Sequence, residues 1–310
     1  MKKSRFLSIM ALVALTATLI FTSCDKKNED PADVNTEDLQ QLSDDENKTL
    51  DEVDEVMNDA SNVMSAGSLK SSAAFPCNAT VDSASIVNDT VNIVITYNGL
   101  NCRGTVIRNG QAIIKRKVGE HWGMVGASVV VKFNNLSITR VVNNKTKVLN
   151  GTKIHTNVTG GHMFMLGTVM NSIIHRNSGT LSVTFENGTS RSWQLARQIT
   201  YTGTPLNITM AIDGFGTADG YTNLTVWGIN RQGNAFYSQN TSTVVKKQEC
   251  EFRPSAGITV HQIPSKNRSA TITYGYDDNN QPITTGDCAT KYRLDWVTAN
   301  GSGTVFKYLW

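Results

Sequence analysis

The stretch VNIVITYNG, residues 91–99, decides the fold class because its apolar and polar side chains alternate with a period of two. Val91, Ile93, Ile95 and Tyr97 fall on one face, which is the pattern of a β-strand with one buried side. Similar alternation recurs in four later segments, which are residues 180–185, 193–201, 272–276 and 292–296. Together these segments predict an antiparallel sheet.

Short turn signals separate the segments and predict hairpins between successive strands. They are Asn109-Gly110, Asn143-Asn144, Asn150-Gly151, Asn187-Gly188, Gln232-Gly233, residues 277–282 and Asn300-Gly301. We therefore expect an all-β domain built as an antiparallel β-meander. Because such a sheet has to hide its edges, it should close as a sandwich or as a barrel-like curled sheet.

The first 24 residues have the order of a lipoprotein signal peptide. Three basic residues precede an apolar run over residues 6–21, and Thr22-Ser23-Cys24 then supplies a cleavage site. The run of 16 residues is shorter than the roughly 20 that a transmembrane helix needs. We predict a signal peptide over residues 1–23 and a lipid on Cys24. The mature chain would then be held on the outer membrane, at the cell surface or at the periplasmic face.

Charge is segregated along the mature chain. Residues 25–59 contain 14 acidic and three basic residues, a net charge of −11. Residues 60–310 contain 12 acidic and 23 basic residues, a net charge of +11. A body with this excess attracts polyanions or its own acidic segment.

Within the acidic segment, apolar residues recur every three to four positions from Leu50 to Met64, which is the helical period. Thr49 is a suitable N-cap and Gly67 a suitable stop, so we predict a short amphipathic helix over residues 49–66. Residues 24–48 are then an acidic tether. The β domain should span residues 75–310, with room for two halves that divide near residue 203.

Four cysteines remain beyond Cys24, an even number in a chain predicted to reach an oxidising compartment. Three pairings are open. We favour Cys77 with Cys102 and Cys250 with Cys288, because each pair closes a local hairpin region. A zinc site is the rival interpretation, but no Cys-x-x-Cys spacing supports it.

The turn and strand pattern resembles a set of uncharacterised all-β lipoproteins of Bacteroidetes. The resemblance rests on Asn101-Cys102-Arg103-Gly104 followed by residues 109–114, on residues 186–193, and on Gly286-Asp287-Cys288 with the strand after it. It implies an exported, lipid-anchored β protein. It implies no activity, because the matching motifs are turns and strands without a catalytic signature.

No motif in the sequence predicts catalysis, a metal site or a cofactor. The five histidines lack the spacing of a metal-binding motif, and no Gly-x-Ser-x-Gly motif occurs. We expect a lipid-anchored envelope protein with a non-catalytic structural or binding role. An enzyme acting on envelope or extracellular glycans stays open, because glycoside hydrolysis needs only two suitably placed carboxylates. The acidic residues considered for such a pair are Asp213, Asp219, Glu249 and Glu251.

Basic clusters in the β domain suggest a further alternative, a surface that binds acidic glycan, lipopolysaccharide or another polyanion. The candidates are Lys115, Arg116, Lys117, Lys246, Lys247, Lys266 and Arg268. Lysines on strand faces also discourage edge-to-edge aggregation, which is a purely structural explanation. Nucleic acid is not an expected partner outside the cell.

Two tripeptides are similar to O-glycosylation sites of exported Bacteroidetes proteins. They are Asp82-Ser83-Ala84 and Asp89-Thr90-Val91. The similarity makes Ser83 and Thr90 candidate glycosylation sites.

Overall fold

The protein is described by a computed structural model that covers residues 37–65, 76–82, 85–284 and 286–309. The predicted signal peptide, Cys24 and Ser83 lie outside the described residues. The described residues all belong to one compact unit. Residue 203, near which the sequence left room for a division into two halves, lies inside the β8–β9 hairpin of this unit.

The described chain contains one α-helix and sixteen β-strands. They are α1 (Glu37–Ser65), β1 (Ala79–Val81), β2 (Ser85–Val87), β3 (Thr90–Leu100), β4 (Val106–Lys117), β5 (Ala127–Arg140), β6 (Thr146–Asn157), β7 (Ser172–Phe185), β8 (Ser190–Thr204), β9 (Asn207–Gly214), β10 (Gly216–Ala218), β11 (Tyr221–Ile229), β12 (Ala235–Lys247), β13 (Pro254–Ile263), β14 (Arg268–Tyr276), β15 (Lys291–Thr298) and β16 (Gly301–Tyr308).

The strands form one antiparallel sheet in which neighbours in sequence are mostly neighbours in space. Its main path runs β1-β3-β4-β5-β6-β7-β8-β11-β12-β13-β14-β15-β16. Strands β8, β9, β12 and β11 pair in a closed cycle, which makes a small barrel within the larger sheet. The prediction of an all-β antiparallel meander with a curled sheet and a helix before it is confirmed.

The sheet curves around α1. Asp44 of the helix contacts β15 and β16, whereas Asp59 contacts β3 and β4 near the other end of the strand order. These two helical residues are about 22 Å apart along the axis, but a flat sheet from β3 to β16 would be roughly 50 Å wide. Both ends of the sheet reach a helix this short only if the sheet wraps around it.

The helix begins twelve residues before the predicted start at residue 49. Leu39 and Leu42 extend its apolar side and are almost fully buried, at 0% and 2% exposure. The predicted tether therefore includes the first three turns of α1. The acidic run at residues 44–46 looked like a solvated segment, but the sheet supplies cations that neutralise it.

Two of the predicted turns lie inside strands. Asn109-Gly110 is within β4 and Asn150-Gly151 is within β6. Gly110 and Gly151 have φ angles of 119° and 122°, and a side chain at either would collide with the backbone of the adjacent strand. These glycines allow the close strand approach that a tightly curled sheet requires. The other five turn signals fall at connections between strands.

Two disulfides join the predicted cysteine pairs. Cys77 is bonded to Cys102 and Cys250 to Cys288, with Cα–Cα distances of 5.1 and 5.3 Å. The first ties the approach to β1 to the β3–β4 connection. The second ties the β12–β13 connection to the segment before β15.

The connections of the meander lie at two opposite rims. We call the connections 118–126, 158–171, 205–206, 248–253 and 277–290 (described except for residue 285) the upper rim, and the connections 101–105, 141–145, 186–189, 230–234, 264–267 and 299–300 the lower rim. This division places each candidate residue at one end of the sheet or the other.

Candidate functional site

The concave face of the sheet is a basic site whose occupant is α1. The helix sequence contains ten acidic residues and one lysine. Inward-facing arginines and lysines of the strands pair with many of those carboxylates. The pairs with α1 involve Arg103, Arg108, Arg140, Lys147, Lys153, Arg191, Arg197, Arg231 and Lys307.

Near the start of the helix, Asp45 and Glu46 are both buried. The Arg231 guanidinium binds the Asp45 carboxylate through two nitrogens, the Nε–Oδ2 distance being 2.6 Å. The Ser238 hydroxyl donates to Glu46 Oε2 at 2.7 Å, and Arg191 Nη2 lies 3.7 Å from the same oxygen. The bidentate arginine fixes the helix in register with the β11–β12 connection.

At the middle of the helix, Asp54 accepts from two cations that are almost fully buried. Lys153 Nζ lies 2.7 Å from Asp54 Oδ1, and Arg197 Nη2 lies 3.0 and 3.1 Å from the two carboxylate oxygens. Burial alone would raise the pKa of Asp54, but the charges of Arg197 and Lys153 outweigh burial and hold that pKa well below its usual range. One carboxylate thus compensates two cations inside the sheet.

The last turns of α1 are held by β3, β4 and the turn between them. Arg108 Nη1 donates to Asp59 Oδ2 at 2.7 Å, and the Tyr97 hydroxyl donates to the same oxygen at 3.0 Å. Asn101 donates from Nδ2 to Glu55 Oε1 at 2.9 Å, while its side-chain Oδ1 accepts from the backbone amides of Thr105 and Val106. The Asn101-Cys102-Arg103-Gly104 motif therefore shapes a turn that binds the helix.

Ser238, His261 and Glu46 come together, but their geometry is not that of a Ser-His-acid triad. His261 Nδ1 donates to Ser238 Oγ at 2.7 Å, and the Ser238 hydroxyl donates to Glu46. In a triad the imidazole takes the serine proton and the acid binds the second ring nitrogen. Ser238 and His261 are 0% and 1% exposed, respectively, so this group stabilises the docked helix.

A second buried cluster lies towards the upper rim and contains His155 and His175. His155 Nδ1 hydrogen-bonds Asn177 Oδ1, and His155 Nε2 lies 3.1 Å from His175 Nδ1. The amide oxygen of Asn177 only accepts, so His155 carries its proton on Nδ1. Because a neutral imidazole carries one proton, His155 Nε2 is an acceptor, and His175 donates to it from Nδ1. That leaves His175 Nε2 as a buried acceptor without a hydrogen-bond partner. Trp122 and Tyr201 pack around the rings.

Burial lowers the pKa of both imidazoles. The pKa of His155 falls to about 4, with the Lys153 charge as a further cause, and that of His175 falls to about 3, with His155 as a further cause. Both rings are therefore neutral at physiological pH. His162 lies outside this cluster and stacks on Phe164.

The structure divides the seven polyanion candidates between the two rims. Lys115, Arg116 and Lys117 end β4 at the upper rim, and Lys246 and Lys247 end β12 at the same rim. Lys266 and Arg268 lie at the lower rim. Lys115, Lys117 and Lys266 are exposed, whereas Lys247 pairs with Glu249 at 3.3 Å.

The four acids considered for catalysis have separate local partners. Asp213 accepts from Thr243, Asp219 accepts from Tyr237, Glu249 pairs with Lys247 and Glu251 pairs with Arg253. Thr90, the described O-glycosylation candidate, begins β3 and is half-buried. Within the described residues, no three His, Cys, Asp or Glu side chains form a group able to hold a metal ion. The helix in the described ranges is too polar to cross a membrane.

The sequence contains a signal for the cations that hold α1. In β8, Arg191 and Arg197 occupy the same alternating positions as buried Trp193, Leu195 and Ile199. A charged residue in phase with an apolar inward face indicates a buried ion pair. That signal identifies the cation but not its acidic partner.

Comparison of the chain with known protein families, with curated proteins and with solved structures found no match.

Asp54→Asn should destabilise the protein by about 3–5 kcal/mol, because it leaves the buried Lys153 and Arg197 without their counter-charge. Urea unfolding at pH 7 measures this loss. Glu251→Gln is the matched control: its side chain is 78% exposed, so the cost should stay within about 1 kcal/mol. Equal, small effects of both changes would contradict the role of Asp54 as the counter-charge of the buried Lys153 and Arg197.

Stability should fall as pH drops from about 6.5 towards 4, because the unfolded chain protonates His155 and His175 before the folded protein does. Each imidazole contributes up to about 1.4 kcal/mol per pH unit. Unfolding free energies across this range should decline less steeply for His155→Gln/His175→Gln than for the parent. The exposed His121→Gln is the control and should keep the parent slope. A double variant with the parent slope would refute the assignment.

Proposed function

We propose that this chain is a lipid-anchored protein of the bacterial outer membrane with a non-catalytic structural or binding role. The observation that carries the proposal is the row of ion pairs that holds α1 inside the sheet. The helix begins 13 residues after Cys24. Because α1 is bound to the sheet along its length, a lipid on Cys24 would anchor the whole β domain to the membrane.

The contacts of the concave face support a binding role over a catalytic one. Its buried cations face the carboxylates of α1, and Ser238 and His261 are covered by the same helix. The groups that chemistry would need are thus engaged in holding the chain together. The resemblance to Bacteroidetes lipoproteins and the order of residues 1–24 support the location.

Cys24→Ser should abolish lipidation and release the protein from membranes. The measurement is incorporation of labelled fatty acid into the protein, followed by fractionation of cells in 0.5 M salt to remove electrostatic attachment. Asp54→Asn should keep the label, because it leaves the signal peptide intact. Labelled fatty acid on the Cys24→Ser protein, or none on the parent, would overturn the lipoprotein assignment.

The upper rim favours a second candidate function, the binding of an acidic glycan such as the charged part of lipopolysaccharide. Lys115 and Lys117 are exposed at the end of β4 at this rim, whereas Lys247 of the same rim pairs with Glu249. Several cations at one end of a sheet raise the local concentration of a polyanion.

Lys115→Glu/Lys117→Glu should weaken binding of a soluble sulfated polysaccharide by about tenfold, because it removes two attractive charges and adds two repulsive ones. Binding should also weaken as salt rises. Calorimetric titration at two salt concentrations measures both effects. Lys266→Glu at the lower rim is the control. Equal loss in both variants would indicate net charge alone and would refute a site at the upper rim.

A further inference from the structure

The upper rim carries large apolar side chains that point into solvent from three different connections. Val125 is 78% exposed, Phe164 67%, Val169 77% and Leu206 90%. Such side chains are normally scattered singly over a protein surface. A group of them on neighbouring turns indicates a contact surface.

We call Val125, Phe164, Val169 and Leu206 the apolar tips. The three connections that carry them are fixed to one another, so the tips keep their positions. Gly161 N–H donates to the carbonyl of Gly123 at 2.9 Å, which joins connection 158–171 to connection 118–126. Asn157 strengthens this joint by donating to the carbonyls of both Trp122 and Gly161. A Cβ on Gly167 would lie 2.8 Å from the Gly203 carbonyl, so the loop also packs against the β8–β9 turn.

The charges around the tips suit an anionic surface. Connections 118–126, 158–171 and 205–206 contain a single acidic residue, Glu120. Its carboxylate is engaged, because it accepts a hydrogen bond from the Ser128 amide. Lys115 and Lys117 lie just behind the first of these connections; behind the third, Lys247 pairs with Glu249 of connection 248–253. Lysines behind apolar tips can reach phosphates while the tips enter the headgroup region.

We propose that connections 118–126, 158–171 and 205–206 of the upper rim dock on the surface of an anionic lipid bilayer. The tips protrude from separate turns that are fixed to one another, so each can enter between lipid headgroups, and Lys115 and Lys117 at the end of β4 then face the lipid phosphates. This inference deepens the second candidate function by naming lipid as the polyanion. It does not depend on Cys24, because every residue involved belongs to the β domain.

Vesicle sedimentation tests the proposal with residues 25–310, which contain the whole described fold and lack both the signal peptide and Cys24. The vesicles are phosphatidylcholine with or without about one third phosphatidylglycerol, a content chosen to give a negative surface. The protein should bind the anionic vesicles and bind the neutral ones far more weakly. Val125→Ser/Phe164→Ser/Leu206→Ser should weaken that binding by about tenfold or more, because it removes the inserted apolar surface.

The control is Val142→Ser, since Val142 is 86% exposed at the lower rim; it should bind like the parent. All these side chains are exposed, so thermal unfolding should show every variant folded.

Absence of binding to anionic vesicles, or equal binding by the triple variant, overturns the proposal. Self-association lost in the triple variant, without vesicle binding, overturns it in favour of a protein interface. Polysaccharide binding without vesicle binding also overturns it but leaves the second candidate function intact.

Discussion

The structure depends on the neutralisation of one acidic helix by cations fixed on the inner face of a sheet. An isolated charge inside a protein is costly, and a buried pair is tolerated only where each partner meets the other with good hydrogen-bond geometry. The carboxylates of α1 and the inward arginines and lysines meet this condition at Asp54, Asp59 and Asp45. Helix and sheet therefore stabilise each other, and neither charged surface is satisfied without the other.

This arrangement gives the two rims different roles. Lower-rim connections bind the helix through Asn101 and Arg103 in one turn and through Arg231 and Gln232 in another. The upper rim instead keeps exposed lysines and apolar tips that face outward. Under the function proposed above, the chain is held from its N-terminal segment and presents its other end to a surface.

Local patterns were enough to predict the fold class but not the position of α1. Alternation in β3 and the spacing of the cysteines act over short separations, so the meander and both disulfides followed from the sequence. The net charges of −11 and +11 indicated attraction between segment and body. Individual partners did not follow, because Asp44 and Lys307 are 263 residues apart and a single sequence carries no sign of such a pairing. The acidic run at residues 44–46 consequently looked like a solvated tether.

Amide hydrogen exchange of α1 is the most direct test of the central claim that the helix belongs to the core of the protein. If buried ion pairs and apolar contacts hold it, the amides from Leu42 to Ala60 should exchange only with global unfolding, at the same free energy as those of β5 and β6. Exchange of α1 at a much lower free energy, while the strands stay protected, would mean that the helix docks on a sheet that is stable without it.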